Sequence, residues 1–159
     1  MFKRILIAVD ESSPAARALD AGIHLAQSTA GQLAIVHVID SAAAMMPEVG
    51  VFDQNLLEDL RRHGQLLLRD SIEQVPHDLK AVQMLLEGEP ADTITLAASQ
   101  WRADVIVLGS DSRGRLAHFL LGSTADSVIR RAPCPVLTVR QQTDQNRTSR
   151  VSGTPALQI

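Results

Sequence analysis

Residues 105–139, VIVLGSDSRGRLAHFLLGSTADSVIRRAPCPVLTV, read as strand, glycine loop, helix and strand, and this reading decides the fold class. Val105-Ile106-Val107-Leu108 is a short, mostly β-branched apolar run. It stops at Gly109, where a turn-forming stretch containing Ser110, Asp111, Ser112 and Gly114 begins. Beyond the apolar patch 116–121, Ser123 stands three residues before Asp126, the spacing of a helix N-terminus. Such a helix mouth gathers free backbone N–H groups and the positive end of the helix dipole. It suits an anion, and phosphate is the natural candidate. Val136 to Val139 supplies the second strand.

Upstream, the same alternation repeats. Ile5-Leu6-Ile7-Ala8-Val9 is apolar without interruption, as in a strand covered on both faces, and it ends in Asp10-Glu11-Ser12-Ser13-Pro14. Ser13-Pro14 predicts a helix start. Ala15, Leu19, Gly22, Ile23 and Ala26 carry that helix to about Ser28, and Gly31 ends it. Residues 33–39 read as a strand, in which His37 is a packed, hydrogen-bonded core histidine and not a ligand. Residues 40–52 read as a loop or lid. An amphipathic helix is expected over 53–75, with Leu57, Leu60, Leu67, Leu68 and Val75 inward. A strand follows over 79–86, and Pro90 then opens a helix with Ile94, Ala97, Ala98 and Trp101 on one side.

Five strands alternating with four helices predict an α/β fold. It is a single doubly wound five-stranded parallel sheet with helices on both faces, because parallel connections need right-handed crossovers. The α/β domain is expected over 1–140, followed by a flexible polar tail, 141–159.

In such sheets ligands sit at the carboxyl ends of strands, where successive connections leave for opposite faces. Two loops qualify, Asp10–Ser13 after the first strand and Gly109–Gly114 after the fourth; in the strand order 3-2-1-4-5 these strands are neighbours. Asp10 reads either as an acceptor for ribose hydroxyls or as a turn residue before the first helix. The backbone near Val38 could meet a base edge. The Gly109 loop with the amides of Gly122, Ser123 and Thr124 reads as a phosphate cradle or as a simple turn and capped helix. Arg113 and Arg115 could neutralise phosphate or be solvated. There is no Gly-Lys-Ser/Thr and no G-x-G-x-x-G after the first strand. A phospho-receiver domain does not fit, since Lys3 and Lys80 are the only lysines and the third strand ends in Glu87-Gly88.

Composition narrows the function further. A net charge of -3 without a basic stripe, and 3% aromatics, argue against nucleic acid. No apolar run is long enough to span a bilayer and no signal peptide precedes the first strand, so no membrane role and a cytoplasmic location are expected. Cys134 is the sole cysteine and reads as packing. His24, His63 and His77 lack paired metal-ligand spacing, so no metal site is expected. The serines have no histidine at the spacing of a base, His118 being the only candidate. No catalytic residue is therefore assigned, and the chain is not read primarily as an enzyme.

Taken together, ILIAVDESSPAARAL at 5–19, HVID at 37–40, DVIVLGS at 104–110 and LLGSTADSVIRRAPCPVLTVR at 120–140 resemble the universal stress proteins. The resemblance implies the strand order 3-2-1-4-5, a homodimer, and a cytoplasmic stress-response role. Members that bind ATP carry G-x2-G-x9-G-(S/T). Gly109 matches the first glycine, Ser112 stands in place of the second, and Gly122-Ser123 match the last pair. Asp10 matches the ribose contact and Val38 the backbone contact to adenine, with Mg²⁺ carried by the nucleotide. If the second position needs a positive φ, serine there costs on the order of 1 kcal/mol, and Asp111 adds a negative charge. Two expectations follow: a regulator or interaction module with an ATP crevice, or a nucleotide-independent homodimer whose motif is degraded at Ser112. In either case Pro135-Val136-Leu137-Thr138-Val139 would pair with its copy and cover an apolar sheet edge.

Overall fold

In the computed structural model, which describes residues 2–46, 51–110 and 123–140, the apolar runs of the sequence become five parallel strands. These are β1 (Arg4–Ala8), β2 (Gln32–Ile39), β3 (Ala81–Glu87), β4 (Val105–Ser110) and β5 (Val136–Arg140). They lie in the order β3-β2-β1-β4-β5, the expected 3-2-1-4-5. Between them run α1 (Ser13–Thr29), α2 (Gln54–Glu73), α3 (Pro90–Trp101) and α4 (Ser123–Arg131).

Strand alternation sends odd and even positions to opposite faces. Ile5, Ile7, Leu33, Ile35, Val105 and Val107 pack under α1 and α2, while Leu6, Ala34, Val36, Ile106 and Leu108 pack under α3 and α4. Because both faces are covered, the strands show no polar alternation, and Ile5, Leu6 and Ile7 are wholly buried. The outer strands β3 and β5 carry the edges. No described helix is long and apolar enough to cross a membrane.

Some helix ends differ from the sequence reading in instructive ways. Helix α1 starts at Ser13 as expected, and the preceding Ser12 is its cap, extended and with its Oγ accepting from the Ala15 amide at 3.3 Å. At the other end, Ala30 and not Gly31 takes the left-handed conformation, φ 47°. Gly31 is needed for space instead, since a Cβ there would lie 3.0 Å from the Lys3 carbonyl oxygen. The expected loop 40–52 holds a 3₁₀ turn, Ser41–Ala44, and a two-residue antiparallel ladder of Met45–Met46 with Val51–Phe52. Asp53 caps α2 through the Leu56 amide at 3.0 Å, and the helix ends two residues earlier than expected, with Val75 still buried. Glu89 caps α3 through the Asp92 amide at 2.7 Å, just after Gly88 turns the chain at φ 146°, where glycine alone is comfortable. The tail 141–159 lies outside the described residues.

Candidate functional site

The chain leaves β1 for α1 on one face of the sheet and leaves β4 for α4 on the other, so the carboxyl ends of these neighbours form a switch point. A cavity of about 190 Å³ opens there. Asp10, Val38, Gly109 and Thr124, which come from four separate segments, all line it. Its walls are apolar, including Val36, Ile94 and Leu108. A second cavity, about 340 Å³, lies towards α2 and is bounded by Asp40, His63 and Gly64; Asp10, His37 and Val38 line both. His63 carried no signal in the sequence, because only the close approach of α2 to β2 brings it there.

How β2 ends is the central local feature. Its bridges to β1 stop at Ala8↔Val36, with one further bond from the Val9 amide to the Val36 carbonyl at 2.9 Å. Parallel pairing would next set the Val38 amide on the Val9 carbonyl. That carbonyl instead meets Nδ1 of His37 at 2.8 Å. A carbonyl only accepts, so Nδ1 carries the proton. Among the described residues no hydrogen bond reaches the Val38 N–H or C=O, which the register turns towards the crevice side of β1. His37 is thus the half-buried, hydrogen-bonded histidine expected, but with a consequence for its neighbour that the sequence did not show.

The other predicted residues fall out as follows. Asp10 is exposed, and its Oδ1 accepts from the Ser12 amide at 2.8 Å, the turn role. No described group bonds to its Oδ2, so the ribose role stays open to it. Gly109 is explained by packing: a Cβ there would sit 2.5 Å from the Pro14 carbonyl carbon and 2.6 Å from the Ala15 nitrogen. The first turn of α1 occupies that space. Ser123 opens α4, Thr124 follows half-buried, and Asp126 stands in the first turn. Ser112, Arg113, Gly114 and Gly122 lie outside the described residues. Ser110, expected in the loop, closes β4 opposite Arg140, is 2% exposed, and its Oγ has no partner among the described residues. Among the described residues no group of three His, Cys, Asp or Glu gathers as a metal site.

Perturbed carboxyls flank the site. Hydrogen bonds from Arg61 hold the Glu87 carboxyl below its usual range, and the pair is bidentate at 2.5 and 3.0 Å on the surface. The Asp92 amide does the same for Glu89, where α3 begins beside the crevice. Burial raises the Cys134 thiol above its usual range.

This switch-point fold, with its crevice at the ends of β1, β2 and β4, agrees with the sequence comparisons. The universal stress protein family profile matches residues 1–140, and the chain belongs to that family. Universal stress protein YxiE of Bacillus subtilis (strain 168) is 31% identical over 148 residues, which are 88% of this chain and all of that protein. Among solved structures, the hypothetical protein MJ0577 superposes with a TM-score of 0.77 at 26% identity, covering 90% of this chain and 99% of that one. The universal stress protein from Archaeoglobus fulgidus in complex with dAMP is 23% identical, with a TM-score of 0.56 over 87% of this chain and 98% of that one. At that identity it shows the shared fold.

Proposed function

We propose that this protein is a cytoplasmic stress-response regulator or interaction module that binds an adenine nucleotide, ATP with its Mg²⁺, at the switch-point crevice. It acts by binding and not by catalysis. The observation that carries this reading is the lining of one cavity by Asp10, Val38, Gly109 and Thr124. The N–H and C=O of Val38, which have no partner among the described residues, offer one donor and one acceptor side by side, the pattern an adenine edge complements. Apolar Val36, Ile94 and Leu108 suit the faces of a base, Asp10 Oδ2 suits ribose, and the N-terminus of α4 suits phosphate. The dAMP complex of a distant relative has the same fold; the reading rests on the residues of this chain.

The test is to denature freshly purified protein, analyse released nucleotide by chromatography, and titrate ATP calorimetrically into wild type and Ser112→Gly. Adenine nucleotide in the eluate, or ATP binding in solution, is expected, with tighter binding in the variant. Absence of both in both proteins would overturn the nucleotide reading and leave a nucleotide-independent dimer.

The proposed assembly is a homodimer through β5. Its outer edge has no partner among the described residues, and Leu137 on it is 43% exposed. Leu137→Asp should sediment as a monomer; a dimer that survives the change removes β5 as the interface.

A further inference from the structure

We infer that His37 is a positioning residue that sets base specificity by keeping the Val38 backbone out of the sheet; this rests on the reading that the crevice takes an adenine nucleotide. Each strand residue has one donor and one acceptor, and a ladder consumes both. In the β1–β2 register the Val9 carbonyl is the acceptor due to the Val38 amide. The Nδ1–H of His37 bonds to that oxygen at 2.8 Å; the oxygen keeps a second lone pair, but no bond from the Val38 amide is made to it and the ladder stops one step short.

The imidazole has little freedom to do otherwise. A Cβ at Gly64 would lie 2.8 Å from its Cδ2 and 3.3 Å from its Nε2, so the backbone of α2 rests against the ring. With the ring clamped between α2 and the Val9 carbonyl, His37 acts as a plug in the ladder. The Val38 N–H donor and C=O acceptor then face the crevice as a fixed pair. Adenine presents a ring-nitrogen acceptor beside an amino donor, which complements that pair. Hypoxanthine presents a ring N–H donor beside a carbonyl acceptor and opposes it at both positions. The chain should therefore distinguish adenosine from inosine nucleotides through backbone, and a side chain that never touches the base should control the distinction.

Two measurements on wild type, His37→Leu and His37→Asn test this. The first is amide hydrogen exchange at Val38 without nucleotide. Wild type should exchange quickly, whereas His37→Leu should slow by at least about tenfold as the Val38 amide closes onto Val9. His37→Asn should stay fast, because its amide nitrogen reaches the position of Nδ1. The second is the ratio of ATP to inosine triphosphate affinity, which should fall by at least about tenfold in His37→Leu and recover in His37→Asn. A slow Val38 amide in wild type, equal exchange in wild type and His37→Leu, or an unchanged ratio in a His37→Leu protein that still binds ATP overturns the inference. If wild type binds neither nucleotide, the proposed function fails, and the exchange at Val38 still decides what His37 does. Should His37→Leu not fold, wild-type exchange and the His37→Asn affinity ratio decide it: a slow wild-type amide, or discrimination lost despite the restored donor, counts against it.

Discussion

The two ends of the sheet are built on opposite terms. At the amino ends of β1 and β4, Asp104 accepts from the Lys3 and Arg4 amides, both at 2.8 Å, and its own amide donates to the Arg4 carbonyl at 2.7 Å. Lys3 Nζ caps the last carbonyls of α1 at Thr29 and Ala30, and the Arg4 guanidinium stacks over Trp101 at 4.5 Å from the ring centre. At the carboxyl ends, the Val38 backbone and the Ser110 hydroxyl have no partners among the described residues, and His37 bonds to the carbonyl where the ladder would continue. The first end closes most of its polar groups on the chain, with the buried Arg4 Nε left without a partner among the described residues, while the second presents the donors and acceptors that the proposed nucleotide would use. Substitutions at the first end should therefore cost stability alone. Those at the second should move ligand specificity, except where packing intervenes.

Gly109 is that exception and should show the largest effect. Gly109→Ala drives a methyl group to 2.5 Å from the backbone of α1, and backbone cannot rotate away. A loss of about 2–3 kcal/mol in urea unfolding is expected. An alanine tolerated at full stability would mean that the glycine serves a ligand after all, and would redraw the division between the two ends.

Asp104→Asn comes next, with a loss of about 1–2 kcal/mol at neutral pH, because the charge-assisted bonds from Lys3 and Arg4 weaken. Those two amides hold the Asp104 carboxyl below its ordinary value of 3.8. A carboxylate with a lowered folded-state pKa contributes fully above the unfolded value, and the contribution fades as pH falls through the folded one. The gap between wild type and variant should thus be constant from neutral pH to about 5 and narrow in stronger acid. A gap that stays constant into strong acid would remove the charge from the account.

Much of this was legible in the sequence, and the part that was not has a common cause. Runs such as Ile5–Val9 and Val105–Leu108 announce buried parallel strands because period and composition are local properties. Local signals also located the Asp10 turn, the start of α4 and the packed His37. The missed features depend on what meets across space. Gly109 and Gly31 read as loop glycines, but the contacts that require them come from Pro14 and from Lys3, far away in sequence. Ala30, and not the expected Gly31, makes the left-handed end of α1. The ladder at 45–46 and 51–52 is too short for any period to reveal. The plug at His37 needed the β1–β2 register, which no run of residues encodes alone.

The smallest expected effect is none. Trp101 is the only tryptophan, and it sits at the closed end of the sheet against Arg4, remote from the crevice. Its emission depends on that cation and on the half-buried pocket around it, and neither is within reach of a ligand at Val38 or Thr124. Saturating ATP should therefore leave the wavelength and intensity of Trp101 emission unchanged, while calorimetry on the same sample reports binding. Arg4→Gln serves as the positive control, because removing the cation alters the ring's surroundings directly. A nucleotide-induced shift of the size seen in that variant would show that ligand at one end repacks the other. The sheet would then be a lever between its ends and not a rigid floor with one sealed side.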